Sequence, residues 1–403
     1  MISILFVDDE VNILEGIRNS LRKHMKEWHL EFANSGEEAL QFMARLHFDI
    51  IVSDMRMPRM DGATLLSIVQ KMYPAVSRFI LTGQADQESM LRAIPVTHQF
   101  IYKPCNPPEL IALLERTCAL HCRIQSEEIR HLVGAAEAIP SIPETTIKLN
   151  EILSGSQWTL SDISHVVEHD PGLCARIIQV SNSAFCGRSK EVTSIQEAVS
   201  IVGIECVQAL AIANQFFAET ADNQHCLKLL RSTYTKGFEG LVSVARFLPK
   251  HPDRAAAMTS ALLRDIGIII LAMSKQDVTE EDAELKAEIE SVVPYQPGTE
   301  TLFEMETRLG VTHSDLAGHL LALWGTPMSI VEAVTLHHTI DQSTIDPMFM
   351  VAVHVADILA ENGNQNLDKV EEALNWEFIE AHNLRSTVEG WLELDFELTK
   401  KAA

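Results

Sequence analysis

The sequence has few of the features that mark membrane, secreted or nucleic-acid-binding proteins. No apolar run approaches the roughly 20 residues that cross a bilayer, and no basic stretch precedes the first apolar run, so we expect neither a membrane helix nor a signal peptide. The 7 cysteines include no Cys-x-x-Cys pair, which favours free thiols in a reducing, cytoplasmic compartment. Lysine and arginine total 32 against 56 acidic residues, and the net charge of -24 argues against a nucleic-acid-binding surface.

The length and the periodicity of the chain predict two or three domains. At 403 residues the chain is too long for one ordinary hydrophobic core. Strand-like runs near 2–7, 29–33, 49–53, 78–81 and 99–102 alternate with helical patterns near 10–25, 36–46, 62–72, 86–93 and 107–119. This strict alternation predicts an α/β domain over residues 1–121, with a parallel sheet and helices on both of its faces.

Acidic, hydroxyl and lysine side chains follow four of the predicted strands. Asp8 and Asp9 follow the first strand, Asp54 the third, Thr82 the fourth and Lys103 the fifth. Chemistry in open parallel sheets sits at the carboxyl ends of the strands, so we expect these side chains to meet at one edge. Carboxylates are suitable ligands for Mg²⁺ and can accept a phosphoryl group, whose charge a lysine would balance. The alternative is that these acids only cap helices or lie in solvated turns. That explanation would have to apply at all four strand ends at once.

These residues resemble, as a set, the receiver domain of two-component response regulators. That domain has a flavodoxin-like fold with a doubly wound, five-stranded parallel sheet, and the resemblance covers residues 1–121. It implies that a sensor histidine kinase or phosphotransfer protein phosphorylates Asp54, and that Asp8, Asp9 and Asp54 bind Mg²⁺. Lys103-Pro104 matches the family's lysine and its usually cis proline.

The resemblance also implies a switch. Thr82 matches the switch hydroxyl and Phe100, three residues before the lysine, the rotating aromatic. A phosphoryl group adds strong acceptor oxygens and about -1.5 to -2 charge. Thr82 would donate to one of those oxygens and vacate space that Phe100 fills, which changes the face formed by the 86–93 helix and the 99–102 strand. Arg56 and Gln84 match positions that tune the lifetime of the phosphoryl group.

Beyond residue 121 the pattern is helical nearly throughout. Residues 122–135 are charged, mildly amphipathic and free of proline, which favours a helical connector that continues the last receiver helix; a mere spacer is the alternative. The IPSIP stretch at 139–143 marks the start of a second domain. Apolar residues at three- and four-residue spacing then predict an all-α domain, with helices within 145–153, 160–169, 172–182 and 194–202.

Residues 136–340 resemble the HDOD domain, an HD-like helical fold related to metal-dependent HD phosphohydrolases. Residues 341–403 fit a helical C-terminal extension of it. The matching stretches are 139–144 (IPSIPE), 169–172 (HDPG), 181–185 (SNSAF), 193–198 (TSIQEA) with 202–203 (VG), 261–267 (ALLRDIG), 309–313 (LGVTH), 324–327 (WGTP) and 337–338 (HH). The resemblance implies a regulatory module without known catalytic activity, often found beside cyclic-di-nucleotide signalling components.

The metal site of HD enzymes is degenerate in this sequence. Such an enzyme needs imidazole and carboxylate ligands that converge on one or two cations and activate water. The eponymous His-Asp pair reads Arg264-Asp265, and Lys236 stands where a ligand histidine would. Two cations in place of two ligands would repel a metal ion and neutralise Asp265, so we expect no metal and no catalysis in this domain. The vestigial site would comprise Lys236, Arg264, Asp265, His313, His337, His338 and Asp357.

Three functions remain to be compared. The favoured one is a cytoplasmic response regulator in which phosphorylated Asp54 controls the binding of a downstream signalling protein by the helical domain. The rival is a metal-dependent phosphohydrolase or phosphodiesterase gated by the receiver. Nucleic-acid binding is disfavoured by the charge and by the lack of a basic recognition helix. The acidic run at 277–284 is either a solvated helix start or a partner surface, and a homodimer is an expectation from the family alone.

Overall fold

The computed structural model describes residues 2–83, 92–104, 106–123, 130–131, 133–134, 141–155, 157–182, 191–220, 224–273, 306–307, 310–362 and 367–402. The chain forms two compact units. The first comprises Met1–Ala138, Gln179–Glu191 and His319–Thr326, and the second comprises Ile139–Ile178, Val192–Gly318 and Pro327–Ala403.

The first unit is built on one parallel sheet. Its strands are β1 (Ile2–Val7), β2 (Trp28–Ala33), β3 (Ile50–Asp54), β4 (Ser77–Thr82) and β5 (Gln99–Tyr102). They lie in the order β2-β1-β3-β4-β5, and neighbouring strands are parallel. Every residue of β3 and β4 is buried, as expected for strands that are covered on both faces. The predicted flavodoxin-like sheet is confirmed.

Helices flank this sheet. They are α1 (Val11–Ser20), α2 (Gly36–Met43), α3 (Gly62–Met72) and α4 (Pro107–Arg123), with a 3₁₀ turn at Ile94–Val96. The side chains of Ser35 and Asp61 cap α2 and α3 by accepting hydrogen bonds from backbone N–H groups of the first helical turn. These caps fix where the chain enters each helix after a strand.

One helix ends before its predicted bound, and most of another predicted helix lies outside the described residues. α1 ends at Ser20 rather than near residue 25, because backbone turns such as the hydrogen bond from His24 N–H to Leu21 O lead directly into β2. Apart from residues 92 and 93, the predicted 86–93 helix lies outside the described residues, as does Gln84.

Part of the connector is tied to the receiver sheet. α4 continues to Arg123, residues 130–131 and 133–134 are helical, and the rest of 122–135 lies outside the described residues. The buried side chain of Arg78, on β4, donates from Nη2 to Gly134 O at 3.0 Å and from Nε to Val96 O at 2.9 Å. Arg78 therefore fixes the later part of the connector against the receiver.

The rest of the described chain is mainly helical, which confirms the predicted all-α region. The helices are α5 (Pro143–Ser154), α6 (Leu160–Val167), α7 (Pro171–Asn182), α8 (Ile195–Val202), α9 (Ile204–Thr220), α10 (Gln224–Phe247), α11 (Arg254–Leu263), α12 (Ile266–Met273), α13 (His313–Leu323), α14 (Met328–Leu336), α15 (Pro347–Asn362), α16 (Leu367–Ala373), α17 (Trp376–Ala381) and α18 (Arg385–Ala402). Helices α10, α11 and α15 pack on one another. The acidic run at 277–284 and parts of the 139–144, 181–185 and 309–313 stretches lie outside the described residues.

A buried aspartate joins the start of this region to α7. Asp170 is 0% exposed and accepts hydrogen bonds from Ile142 N–H at 3.2 Å and Leu173 N–H at 2.9 Å. Burial raises the pKa of Asp170 to about 6, against these hydrogen bonds. The Asp170-Pro171 pair thus starts α7, as the sequence predicts.

A sharp bend separates α8 from α9. Gly203, between them, has a φ of 83°, in the left-handed region that favours glycine. The bent pair Ile195–Val202 and Ile204–Ile212 matches a membrane span by length and composition only, with an angle of 100° between its halves. Among the described residues, no single helix is long and apolar enough to cross a membrane.

Candidate functional site

Four side chains lie at the carboxyl edge of the receiver sheet, where β1, β3, β4 and β5 are successive neighbours. Asp8 follows β1, Asp54 ends β3, Thr82 ends β4 and Lys103 follows β5. Lys103 Nζ lies 2.7 Å from Asp8 Oδ2 and also pairs with Asp54 Oδ1. Direct contact therefore joins three predicted site residues at the β1/β3 point where the strand order reverses.

Backbone groups hold both carboxylates in place. Glu10 N–H donates to Asp8 Oδ1 at 2.9 Å, and Arg56 N–H donates to Asp54 Oδ2 at 2.7 Å. A Cβ on Gly62 would overlap the carbonyl oxygen of Asp54, so the start of α3 approaches the end of β3 as closely as only glycine allows. The Asp54 carboxylate is thus oriented by the loop that follows it.

Burial and their mutual contact shift the pKa values of Asp54 and Lys103. Asp8 and Asp54 are only 1% and 6% exposed. Burial raises the pKa of Asp54 above its ordinary value, against the hydrogen bond and the positive charge of Lys103. Burial alone would lower the pKa of Lys103, but its hydrogen bonds to Asp54 and Asp8 outweigh burial and raise it. Lys103 is therefore cationic at neutral pH.

The acidic side chains at this edge fit a hard divalent cation. Asp8 and Asp54 are buried side by side, and Asp9 is exposed next to Asp8. Three carboxylates against the single ammonium of Lys103 leave an excess of negative charge. Mg²⁺ in proteins typically takes one or two carboxylate ligands and completes its shell with water and phosphate oxygens. Asp8, Asp9 and Asp54 are the residues that would hold the ion.

Thr82 and Phe100 lie on the same face of the sheet. β4 and β5 pair Ile80 with Phe100 and Thr82 with Tyr102, so the hydroxyl and the aromatic ring are two register positions apart. Thr82 is 0% and Phe100 2% exposed, and Thr82 Oγ1 donates to Gly83 O at 3.2 Å. The Lys103-Pro104 peptide after β5 is cis.

The β5 end of the receiver also contacts the two later segments of the first unit. Gln99 Nε2, on β5, donates to Leu323 O at 2.8 Å. Gln179 Nε2 donates to the carbonyl oxygens of residues 97 and 98 at 3.0 and 2.9 Å. The strand that carries Phe100 is therefore hydrogen-bonded to residues far along the chain.

In the second unit, a buried arginine stands between two carboxylates. Arg264 follows α11 and is 0% exposed; its Nε lies 2.5 Å from Asp357 Oδ1, on α15, and 3.3 Å from Asp265 Oδ2. It also donates to the carbonyl oxygens of Ala261 at 2.5 Å and Lys236 at 3.3 Å. Burial raises the pKa of Asp357, but the charge of Arg264 outweighs burial and holds it below its ordinary value. The closer partner of Arg264 is thus Asp357, whereas the sequence led us to expect Asp265.

The three histidines of the predicted vestigial site come together. One nitrogen from each of His313, His337 and His338 lies within 4.8 Å of the others. His338 Nε2 is 3.2 Å from His313 Nε2, while Asp265 Oδ1 is 3.7 Å from His313 Nε2 and 3.9 Å from His337 Nε2. Asp265 therefore turns Oδ1 toward the histidines and Oδ2 toward Arg264.

Sequence reasoning placed Lys236 in this site and missed Glu306. Within the described residues the Lys236 ammonium makes no ion pair, and Lys236 meets Arg264 through its backbone carbonyl. Burial lowers the pKa of Lys236, against the attraction of Glu361 and Asp265. Glu306 accepts hydrogen bonds from His313 Nδ1 at 2.6 Å and from its backbone N–H at 2.8 Å. No motif or helical spacing pointed to Glu306, because its role depends on how the chain turns before α13.

Comparison with family models identifies both parts of the chain. Residues 4–115 match the response regulator receiver domain, and residues 139–340 match the HDOD domain. The HDOD match covers half of the chain, so the protein belongs to the HDOD family and carries a response regulator receiver domain at its N-terminal end. Both resemblances drawn from the sequence are confirmed.

Relatives and solved structures resemble parts of the chain. Regulatory protein AtoC of Escherichia coli (strain K12) is 32% identical over 130 residues, which are 32% of this chain and 27% of AtoC, so the chain spans about a quarter of that relative. The signal receiver domain of an HD domain-containing protein from Pseudomonas fluorescens Pf-5 is 31% identical, with a TM-score of 0.28. The matched region covers 29% of this chain and 94% of the Pseudomonas chain. The MmoQ response regulator from Methylococcus capsulatus str. Bath is 20% identical, with a TM-score of 0.45. The matched region covers 59% of this chain and 92% of the MmoQ chain.

Proposed function

We propose that a sensor histidine kinase or phosphotransfer protein phosphorylates Asp54, and that this change controls the protein-protein interactions of the HDOD domain. One observation carries the proposal: Asp54 and Asp8, both buried, share the ammonium of Lys103 at the carboxyl edge of the sheet. A purely structural role accounts poorly for two buried carboxylates on one lysine, because excess buried charge destabilises a fold.

The proposed chemistry is phosphoryl transfer to a carboxylate. A carboxylate oxygen of Asp54 attacks the phosphorus as the bond to the donor nitrogen breaks, and the donor histidine leaves with that electron pair and takes up a proton from solvent. Mg²⁺, held by Asp8, Asp9 and Asp54, would neutralise the phosphoryl oxygens. Lys103 already lies beside Asp54, so its ammonium can pair with the transferred group as charge develops.

The proposed signal passes along β4 and β5. The Thr82 hydroxyl turns from Gly83 O to a phosphoryl oxygen, and the Phe100 ring, on the same sheet face, moves into the space that Thr82 leaves. Gln99, next to Phe100, is hydrogen-bonded to Leu323 O, which supports coupling to the later part of the chain. A changed β5 face would also be the surface for the homodimer that the family leads us to expect.

In this proposal the HDOD domain is a binding module and not an enzyme. Arg264 fills the space between Asp265 and Asp357 with positive charge, where a hydrolase would need a metal-activated water. The partner would be a cytoplasmic signalling protein, with cyclic-di-nucleotide signalling as the favoured setting.

The cluster of His313, His337 and His338 supports one alternative, a metal-dependent phosphohydrolase or phosphodiesterase that the receiver gates. Incubation of the full chain with a cyclic dinucleotide and Mn²⁺, before and after phosphorylation, separates the two. If the wild-type chain hydrolyses the cyclic dinucleotide and Asp265→Asn does not, the protein is a phosphodiesterase. If the dinucleotide stays intact with the wild-type chain, the result supports the binding module.

Acetyl phosphate labelling tests the acceptor. We expect intact-mass spectrometry to detect one added phosphoryl group that requires Mg²⁺ and is absent from Asp54→Ala. Asp61→Asn is the matched control, because Asp61 caps α3 near the site without joining the cluster. Labelling of Asp54→Ala would refute the assignment of the acceptor.

Affinity capture tests the output. Full-length protein loaded with beryllofluoride and Mg²⁺ is compared with Asp54→Ala as bait in native lysate, followed by mass spectrometry. The proposal is supported by a protein that only one bait retains. That protein should then bind the purified full-length chain with the same dependence on phosphorylation. Identical and empty captures would argue against a phosphorylation-gated binding module.

A further inference from the structure

A cavity opens at the edge of the receiver sheet where β3 and β4 begin, opposite to the carboxyl edge that carries Asp54. It is lined by residues 43–48 at the end of α2, residues 72–76 at the end of α3, and His131 of the connector. All of these residues belong to the first unit. The volume of the cavity is about 420 Å³, and small-molecule sites typically enclose roughly 300–1,000 Å³.

Apolar side chains form much of the lining. Met43, Phe48 and Val76 are buried, at 5%, 2% and 4% exposure. Leu46 and Met72 line the same cavity, yet they are 43% and 62% exposed. Large apolar side chains that stay exposed around one concave surface are typical of a binding site. A bare inorganic ion would lose hydration against such a lining, so the ligand has an apolar body.

The charged side chains that line the cavity are basic. Arg45 supplies a guanidinium, and His47 and His131 supply imidazoles. No carboxylate lies among the described lining residues, although the whole chain has 56 acidic residues against 32 lysines and arginines. His47 pairs with Asp49 outside the lining, at 3.6 Å. Within the part of the chain that the structure describes, the side chains of Arg45 and His131 form neither a hydrogen bond nor an ion pair.

These two properties together define the class of ligand. We propose that the cavity binds a small, soluble organic anion that combines one acidic head group with an apolar body. The head group pairs with the guanidinium of Arg45 and accepts a hydrogen bond from the imidazole of His131. The apolar body lies against Leu46 and Met72 and extends toward the buried part of the lining.

The cavity adjoins the point where the connector meets the receiver. Pro74 lines the cavity, and its carbonyl oxygen accepts a hydrogen bond from Arg78 Nη1 at 3.2 Å. Arg78 Nη2 donates to Gly134 O at 3.0 Å, and a Cβ on Gly134 would overlap Pro74 O. A ligand that contacts both Pro74 and His131 therefore stabilises the connector against the receiver. This inference does not rest on the phosphorylation of Asp54.

The experiment compares two fluorescent probes that share one apolar body. The full-length chain is titrated with 8-anilinonaphthalene-1-sulfonate, which is anionic, and with N-phenyl-1-naphthylamine, which lacks the sulfonate. We expect saturable binding of about one sulfonate probe per chain, because the cavity has the size of a single-ligand site. Binding should also slow amide exchange in peptides that cover residues 130–134.

Three variants locate the site. Arg45→Gln should weaken binding of the sulfonate probe about 10-fold, because a charge-assisted hydrogen bond is lost, and should leave binding of the neutral probe unchanged. Arg22→Gln is the matched control, since Arg22 is exposed and does not line the cavity, and it should bind both probes as the wild type does. Ala44→Trp places a large ring in the cavity and should abolish binding of both probes. Ala44 is exposed at the end of α2, so we expect this variant to fold, which circular dichroism checks.

The proposal is overturned if folded Ala44→Trp and Arg45→Gln bind the sulfonate probe with wild-type affinity, or if the bound probe leaves exchange at residues 130–134 unchanged. It is equally overturned if neither probe binds the wild-type chain. A change of sedimentation coefficient in Ala44→Trp would in that case assign the cavity to an interface between copies of the chain.

Discussion

Substitution of Arg264 by methionine should strongly destabilise the HDOD domain. The guanidinium is 0% exposed and pairs with two carboxylates that are themselves buried, at 3% exposure for Asp265 and 0% for Asp357. Removing one partner of a buried ion pair leaves uncompensated charge and costs about 3–5 kcal/mol. With a urea dependence of about 1–3 kcal/mol per M, the unfolding midpoint should fall by on the order of 1–5 M.

Urea unfolding followed by circular dichroism measures this effect, and Arg385→Met is the matched control. Arg385 pairs with Glu380 and, at 3.0 Å, with Glu389, yet its side chain is 58% exposed. Ion pairs in water contribute little to stability, so this variant should unfold like the wild type. The comparison separates the effect of burial from the number of ion pairs.

A second substitution sharpens the test. Arg264→Met combined with Asp357→Leu removes both members of the closest pair, and replacing a whole buried pair by apolar side chains is often nearly neutral. We expect the double variant to recover part of the lost stability. If Arg264→Met alone unfolds at the wild-type midpoint, the pairing of Arg264 with the two acids does not stabilise the fold and our reading of the site is wrong.

Three further predictions concern the receiver and the start of the helical region. Gly62→Ala should impair labelling of Asp54 by acetyl phosphate, because the new Cβ overlaps the Asp54 carbonyl; Gly16→Ala, with no atom within 4 Å of its new Cβ, should label normally. Thr82→Ala should still be labelled but should lose the change in hydrogen exchange along β5; an unaltered β5 response would contradict the switch. Asp170 has a pKa of about 6 in the folded protein, so between about pH 4 and 6 the folded state holds a proton that the unfolded chain has released. The free energy of unfolding should therefore fall by up to about 3 kcal/mol as the pH rises through that window. Asp170→Asn should abolish that slope in urea titrations at pH 4 and pH 6.5, and a wild-type slope in the variant would exclude Asp170 as its source.

The receiver could be predicted because its chemistry follows its strands. A buried parallel strand is a continuous apolar run, so the residue after each run is placed at the active edge by topology alone. Asp8, Asp54, Thr82 and Lys103 were located in this way, and three of them are in contact. The end of α1 was missed because the turns after Ser20 carry no glycine or proline signal.

The helical region was harder to predict because its contacts depend on tertiary packing. Sequence matching found the histidines, but a spacing of 24 residues between His313 and His337 cannot say that their nitrogens converge. The identity of residue 264 suggested a charge pair with Asp265, whereas the carboxylate closest to the Arg264 guanidinium belongs to Asp357. Glu306 has no local pattern at all, and only the hydrogen bonds of His313 reveal it.

Hydrogen exchange of the full chain tests the central claim most directly, with and without beryllofluoride and Mg²⁺. If phosphorylation of Asp54 controls the output, amide protection should change along β4 and β5 and within His319–Thr326, and Asp54→Ala should show no change. A response confined to the loops that surround Asp54, or an identical response in Asp54→Ala, would contradict the account.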